Sequence, residues 1–182
     1  MSWIVVRARS DVKVERSIRE TMGMLNLTRV NHAVIIPENP QYNGMLQKAK
    51  DYITWGNADA GLIEKMISER GRLVGDKPIT DAIVKEGTDY SSIKDFAAAI
   101  ATGDATVKDL PDMKRVFRLH PPRGPKGWGG LKRSYVIGGA LGARGAGRKI
   151  TKAGRVGVAA SRARNLRGAK VAIDKMRSST GR

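Results

Sequence analysis

The chain has 182 residues, no cysteine, and 34 Lys and Arg residues against 17 acidic ones, which gives a net charge of +17. This length accommodates one domain with additions, and the lack of cysteine excludes disulfides, thiolate catalysis and cysteine-based zinc sites. Such a charge opposes a compact state unless an anionic partner neutralises it, so we expect a nucleic acid, with an anionic membrane surface as the rival.

The first part of the chain, residues 1–58, alternates between strand and helix patterns. Residues 3–9 (WIVVRAR) predict a strand with one face toward the core and with Arg7 and Arg9 on the other face. A helix follows, and a polar link (NLTRVNH) then leads into a second strand, HAVIIP. A short helix over residues 42–50 and a third strand, DYITWG, complete a β-α-β-α-β order. This order predicts a small sheet with helices packed on it.

The helix after the first strand is marked by a start signal and a buried stripe. Ser10 or Asp11 is predicted to cap it, because either side chain can accept a hydrogen bond from a free backbone N–H. Its apolar side chains recur at helical spacing, and they are Val14, Ile18, Met22 and Leu25.

The middle of the chain, residues 59–112, predicts a helical insertion. An apolar helical face precedes a break at RGRLVGDKP, Thr80 is predicted to cap DAIVKEG, and Ser91 or Ser92 is predicted to cap IKDFAAAIATG. A fourth strand is predicted over residues 116–120, where two prolines stop it.

The positive charge is concentrated in the last part of the chain. Residues 1–60 carry a net +2 and residues 61–112 a net −3, whereas residues 113–182 carry 19 basic residues, one acid and a net +18. This segregation favours a globular body with a nucleic-acid-binding arm. We divide the end of the chain into a closing strand with a basic Gly/Pro-rich arm, residues 113–145, and a basic Ala/Gly-rich tail, residues 146–182, that is partly helical when bound.

Several motifs occur in an order that resembles a known family. They are TRVNHAVIIPENPQYNGMLQKAKDYITWG, ERGRL, FRLHPPRG and GGALGARG. Together they resemble the L-thirty family of large-subunit ribosomal proteins in its long archaeal form, the counterpart of eukaryotic L-seven, over about residues 3–145. Residues 146–182 extend past the family pattern, so their role rests on their charge alone.

The resemblance implies an α+β fold: a small three- to four-stranded sheet with helices packed on one face, a helical insertion and an extended basic C-terminal arm. It also implies a structural protein of the cytoplasmic ribosome that binds large-subunit rRNA, has ribosomal proteins as possible neighbours, and catalyses no reaction. No cofactor, metal or small-molecule substrate is expected.

Candidate RNA contacts in the body fall on a strand face, a polar link, a helix end and the fourth strand. They are Arg7, Arg9, Arg29, Asn31, His32, Arg70, Arg72, Arg118 and His120. Each position has a plain alternative: a solvated strand face, local turn chemistry at an asparagine, or cations favoured at the negative end of a helix. The resemblance favours RNA contact.

The arm and tail supply the remaining candidates, because glycines allow close backbone approach, arginines pair with phosphates, and an aromatic ring stacks on a base. They are Arg123, Lys126, Trp128, Lys132, Arg133, Arg144, Arg148, Lys149, Arg155, Arg162, Arg164, Arg167 and Lys170. The alternative here is a solubilising tail with no specific ligand.

Other function classes find little support in the sequence. The glycine clusters complete neither a Walker A motif nor G-x-G-x-x-G, which weighs against a small α/β enzyme with a phosphate loop. A DNA-binding architectural protein would need a basic recognition helix, and the insertion is acidic. A ribosome assembly factor stays open. No apolar run approaches the ~18 residues of a membrane span, and no signal-peptide pattern is present, so we expect a soluble cytoplasmic protein.

Overall fold

The computed structural model describes residues 1–121, 134 and 141–144, and the regular elements alternate along this part of the chain. The strands are β1 (Ser2–Arg7), β2 (His32–Pro37), β3 (Ile53–Asn57), β4 (Phe117–Arg118) and β5 (Gly142–Ala143). The helices are α1 (Arg16–Met24), α2 (Pro40–Lys48), α3 (Ala60–Arg70), α4 (Asp81–Gly87) and α5 (Ile93–Thr102).

The strands form one mixed sheet in the order β4-β2-β1-β3-β5. The central strand β1 is antiparallel to both neighbours, so that Val5 lies opposite Val34 on one side and opposite Trp55 on the other. Strand β4 adds antiparallel to β2, and β5 adds parallel to β3. The outer edge of the sheet on the β2 side is therefore β4, a strand of two residues.

One face of the sheet packs against α1 and α2. Val5, Val34 and Ile53 project from the strands into a buried cluster that includes Met22 of α1 and Leu46 of α2. The stripe predicted for α1 packs here too, although the helix starts only at Arg16. Neither Ser10 nor Asp11 caps it: Asp11 instead forms an ion pair with Arg7.

The opposite face packs against the insertion. Ile4 and Phe117 join Ile63 of α3 and Phe96 and Ile100 of α5 in a second buried cluster. Hydrogen bonds also tie the insertion to the start of the chain. The Ser2 hydroxyl donates to the carbonyl of Ile100 at 2.5 Å, and the Met1 amine donates to the carbonyl of Thr102 at 2.9 Å.

The predicted α+β class is confirmed, and two details of the architecture differ from the expectation. Helices cover both faces of the sheet instead of one, because residues on both faces of β1 are apolar and each face therefore needs a cover. The described sheet also has a fifth strand, β5. Its Gly142 adopts a φ of +81°, a conformation that favours glycine.

Candidate nucleic-acid interface

Two predicted site residues are neighbours at one edge of the sheet, His32 on β2 and Arg118 on the edge strand β4. His32 and Arg118 lie directly opposite each other in the β2–β4 pair, so their side chains project from the same face. The N–H of Leu119 donates to the carbonyl of Asn31 at 3.0 Å and extends this pairing by one step. The polar link before β2 and the strand after the insertion thus form one edge.

The end of α3 is brought to the same edge by a short backbone ladder. The N–H of Val74 donates to the carbonyl of Asp112, and the N–H of Lys114 donates to the carbonyl of Arg72, both at 2.9 Å. This ladder places Arg72 beside Lys114, only three residues before β4 begins. Basic residues from the start and the end of the insertion are therefore neighbours.

A pocket of about 270 Å³ lies where these segments join. We call it the seam pocket, and it is lined by Arg70, Arg72, Asp76, Lys114, Val116 and Arg118. The Lys114 ammonium forms an ion pair with the Asp76 carboxylate and, by this hydrogen bond, holds the pKa of Asp76 below its usual range. Four cationic residues therefore surround one carboxylate, which leaves the pocket strongly positive.

A buried arginine fixes the link that carries Arg29 to this edge. Arg7 is only 2% exposed, and its Nη1 donates to the carbonyls of Leu27 and Thr28 at 2.7 and 2.8 Å. Its carbonyl accepts from the N–H of Asn31 at 2.8 Å. Asn31 itself has a φ of +65°, which asparagine tolerates better than most residues. The link therefore has a defined path, with Arg29 exposed on it.

His32 lies in the positive field of this edge. Partial burial is the main cause that lowers its pKa below the usual value, and the charges of Arg118, Arg29 and Arg7 lower it further. Its Nδ1 is 3.3 Å from the hydroxyl of Thr28. An imidazole with a lowered pKa is neutral at pH 7, and it therefore offers a hydrogen-bonding group without adding charge.

We call the following six residues the basic edge surface, because three separate chain segments bring them to one edge of the sheet. They are Arg29, His32, Arg70, Arg72, Lys114 and Arg118. Five of the six were predicted from the sequence. Lys114 was missed, although the dipeptide Lys114-Arg115 marks the point where the chain turns basic and could have pointed to it.

Three predicted contacts have other roles in the structure. Arg7 does not belong to an exposed sheet face, because α1 and α2 cover that face and its guanidinium bonds the protein interior. Arg9 is half-buried, with its guanidinium 5.1 Å from the centre of the Tyr52 ring. Arg144 is 4% exposed, and its Nε donates to the Thr54 hydroxyl at 2.9 Å. It anchors the chain after β5 to β3.

The remaining predicted positions are His120 and the other arm and tail candidates. His120 is exposed two residues after Arg118. The rest of the arm and tail candidates lie outside the described residues, and they are Arg123, Lys126, Trp128, Lys132, Arg133, Arg148, Lys149, Arg155, Arg162, Arg164, Arg167 and Lys170.

A metal site and a membrane-spanning helix are both absent from the part of the chain that the structure describes. No group of three or more His, Asp or Glu side chains there could hold a metal ion. Within the same residues, no helix is long and apolar enough to cross a bilayer.

The sequence matches known proteins over most of its length. The family model described as ribosomal protein L30p/L7e matches residues 3–53. Large ribosomal subunit protein uL30 of Methanocorpusculum labreanum is 47% identical over 140 residues, which cover 77% of this chain and 90% of the relative. The uL30 of Methanosphaera stadtmanae is 49% identical over 142 residues, 78% of this chain and 91% of the relative. That of Methanopyrus kandleri is 47% identical over 137 residues, 75% of this chain and 92% of the relative.

Alignments of this extent cover nearly the whole of each relative, and identity near one half over such a length accompanies a shared fold. They confirm the resemblance carried by the motifs of residues 3–145. The chain therefore belongs to the ribosomal protein L30p/L7e family, together with the archaeal uL30 proteins.

Proposed function

We propose that this protein is a structural constituent of the large ribosomal subunit that binds folded rRNA and catalyses no reaction. The basic edge surface is the observation that carries the proposal. It joins cations from the β2 link, the insertion and β4 on one edge of a rigid body. Phosphates on a folded RNA are the ligands that such an arrangement suits.

Family membership supports the ribosomal part of this proposal. The relatives are named as proteins of the large ribosomal subunit, and a family member of this kind resides in the cytoplasmic ribosome. Large-subunit rRNA is then the principal partner, and neighbouring ribosomal proteins are further ones. About a fifth to a quarter of this chain lies outside each of these alignments.

Charge distribution supports the RNA part. The body up to residue 112 is close to neutral, and the net +18 of residues 113–182 follows it. We propose that the body docks through the basic edge surface, while the arm and tail enter RNA grooves where phosphates neutralise them. Release of condensed counterions then offsets the entropy lost when an extended chain is ordered.

The position of β5 places part of the basic arm at the second edge of the sheet. The N–H of Arg144 donates to the carbonyl of Trp55 at 2.9 Å, and β5 pairs with β3. Residues 142–144 therefore contact the body at the sheet edge opposite β4. RNA contacts near both edges of the sheet would hold the body from two sides.

A competition experiment with the full-length protein tests this function. We expect tight binding to large-subunit rRNA and much weaker binding to duplex DNA of equal length at the same salt concentration. Replacement of two surface arginines, Arg72→Gln with Arg118→Gln, should weaken rRNA binding about tenfold through lost charge-assisted hydrogen bonds. Arg16→Gln is the matched control, because Arg16 is exposed at the start of α1 and pairs with Glu20.

Equal affinity for DNA and rRNA would indicate an architectural DNA-binding protein instead. Purified large subunits give a second test, because a permanent constituent stays in stoichiometric amount after a high-salt wash. Presence only in immature particles would indicate an assembly factor.

A further inference from the structure

Arg70, which lines the seam pocket, carries a hydrogen-bond donor that the described residues do not satisfy. Arg70 lines the pocket at the end of α3, and its Nε is buried without a hydrogen-bond partner among the described residues. An unsatisfied buried donor destabilises the folded protein, and more so when the group is charged. Native structures keep few such groups, and a missing ligand is one of the usual reasons.

The charge of the pocket matches an anion. Arg70, Arg72, Lys114 and Arg118 contribute four cations, and the carboxylate of Asp76 offsets one of them through its ion pair with Lys114. The cations come from three segments that the fold holds together: the end of α3, the loop after it, and the stretch leading into β4. Repulsion among them falls when an anion enters.

The guanidinium group of Arg70 suits an anion that offers two oxygens side by side. The Nε–H and one Nη–H of an arginine form a planar fork that fits two oxygens of a phosphate or a carboxylate. A phosphodiester supplies two such oxygens and one negative charge. The pocket volume of about 270 Å³ also admits the sugar next to the phosphate. A lysine at this position would supply the charge without the fork.

We propose that the seam pocket binds a single phosphate group of the RNA backbone, with the Nε of Arg70 as its central donor. The proposal rests on the function proposed above and adds a defined contact to it. Binding requires the Arg70 side chain to turn its Nε–H, which is buried in the free protein, toward the phosphate. The phosphate then bridges the insertion and β4, so that RNA binding locks the insertion to the sheet edge.

The charge-preserving substitution Arg70→Lys in the full-length protein separates this contact from general electrostatic attraction. We expect the variant to bind rRNA about tenfold more weakly. The slope of its log affinity against log salt concentration should match that of the wild type, because the charge is kept. Arg16→Lys is the matched control and should leave both quantities unchanged. Equal affinity of Arg70→Lys and wild type would overturn the proposal.

A spectroscopic measurement on the wild-type protein avoids any folding defect of the variant. The Nε–H resonance of Arg70 is followed by NMR while a nuclease-protected rRNA fragment, inorganic phosphate or polyglutamate is added at constant ionic strength. A saturable shift with the rRNA fragment supports the proposal, whether or not inorganic phosphate also produces it. No shift with the fragment overturns it, including the case in which only phosphate or only polyglutamate moves the resonance.

The two proposals fail in different ways. If wild-type protein does not bind rRNA at all, the proposed function is wrong. If it binds rRNA but the Arg70 resonance stays in place and Arg70→Lys binds equally well, the function stands and the single-phosphate pocket is wrong.

Discussion

At the scale of single residues, Arg7 shows how burial changes the role of a cation. The guanidinium donates to the carbonyls of Arg9, Leu27 and Thr28 and pairs with Asp11, so it joins β1 to the link that carries Arg29. A buried charge is tolerated only when such partners surround it. Arg7 therefore holds the link in place from the interior of the body.

The substitution Arg7→Lys tests this positioning role. An ammonium cannot satisfy the same carbonyls at once, so we expect the free energy of unfolding to fall by about 2 kcal/mol or more. Amide hydrogen exchange over residues 27–32 should rise more than exchange in α5. In a double-mutant cycle for rRNA affinity, Arg7→Lys should couple with Arg29→Gln and add independently to Arg72→Gln. If the effect of Arg7→Lys on rRNA affinity adds independently to the effects of both substitutions, Arg7 does not act through the link.

The pH dependence of the body follows from His32. Its pKa is lowered in the folded state by burial and by the charges of Arg118, Arg29 and Arg7. In the unfolded chain His32 therefore takes up a proton near the usual pKa of 6.5. In the folded chain it binds that proton only at a lower pH. Stability is fully retained above pH 6.5 and falls as the pH drops below that value, until the folded imidazole also titrates.

NMR titration of the His32 ring between pH 8 and pH 5 measures this effect. We expect a midpoint below 6.5 in the wild type and a higher midpoint in Arg118→Gln, because a neighbouring positive charge has been removed. Thermal unfolding over the same range should show a smaller acid-induced loss in His32→Gln than in the wild type. A midpoint at or above 6.5 would contradict the assignment.

At the scale of elements, the end of α3 depends on a close backbone approach at Gly71. A Cβ at this position would lie 2.3 Å from the carbonyl oxygen of Ile67 and 2.6 Å from Cδ1 of Ile79. The glycine separates Arg70 from Arg72 and turns the chain toward the ladder with residues 112–114. The directions in which Arg70 and Arg72 leave the backbone therefore depend on the absence of a side chain at Gly71.

We expect Gly71→Ala to destabilise the protein by about 1–3 kcal/mol, since backbone must shift to remove the overlap. Gly44→Ala is the control in α2, where an added Cβ meets nothing within 4 Å. It should stabilise the helix by about 0.5–1 kcal/mol. Chemical denaturation measures the free energy of unfolding of both variants. Equal changes at Gly71 and Gly44 would contradict the special role of Gly71.

Capping shows where local sequence signals succeed and where they do not. Ser92 caps α5 as predicted, because its hydroxyl accepts from the N–H of Asp95 at 3.2 Å. Thr80 holds the predicted capping position of α4 but makes no side-chain capping bond. A serine or a threonine thus marked the start of both helices. Whether its hydroxyl formed a capping hydrogen bond depended on the surrounding chain.

At the scale of the whole molecule, the fold separates packing from charge. Two apolar clusters on the two faces of the sheet hold the body together, and the five cations of the basic edge surface lie at one edge of that sheet. The remaining positive charge follows in the sequence after residue 120. A body that is stable without the ligand can therefore present a surface that is neutralised only on binding.

This separation predicts a strong salt dependence for rRNA binding by the full-length protein. Each phosphate neutralised contributes about −0.7 to −0.9 to the slope of log affinity against log salt concentration. Arg72→Gln should reduce the magnitude of that slope by about one such increment, whereas Arg16→Gln should not. Titrations between 50 mM and 400 mM KCl measure both. A slope near zero would rule out phosphate neutralisation as the basis of binding.

The sequence by itself determined the order of elements as far as β4, the α+β class and the family, because these depend on local periodicity and on contiguous motifs. The β2 range, HAVIIP, matches the structure residue for residue. The concentration of charge after residue 112 was also readable directly.

Tertiary structure alone decided which cations share a surface and which are buried. Arg7, Arg29 and Arg144 were all predicted as RNA contacts, yet of the three only Arg29 is exposed, because the packing of helices and the pairing of β5 depend on contacts between distant residues. The meeting of Arg70, Lys114 and Arg118 arises in the same way, from a ladder that joins the two ends of the insertion. No local pattern encodes such contacts, since their energy comes from groups more than thirty residues apart.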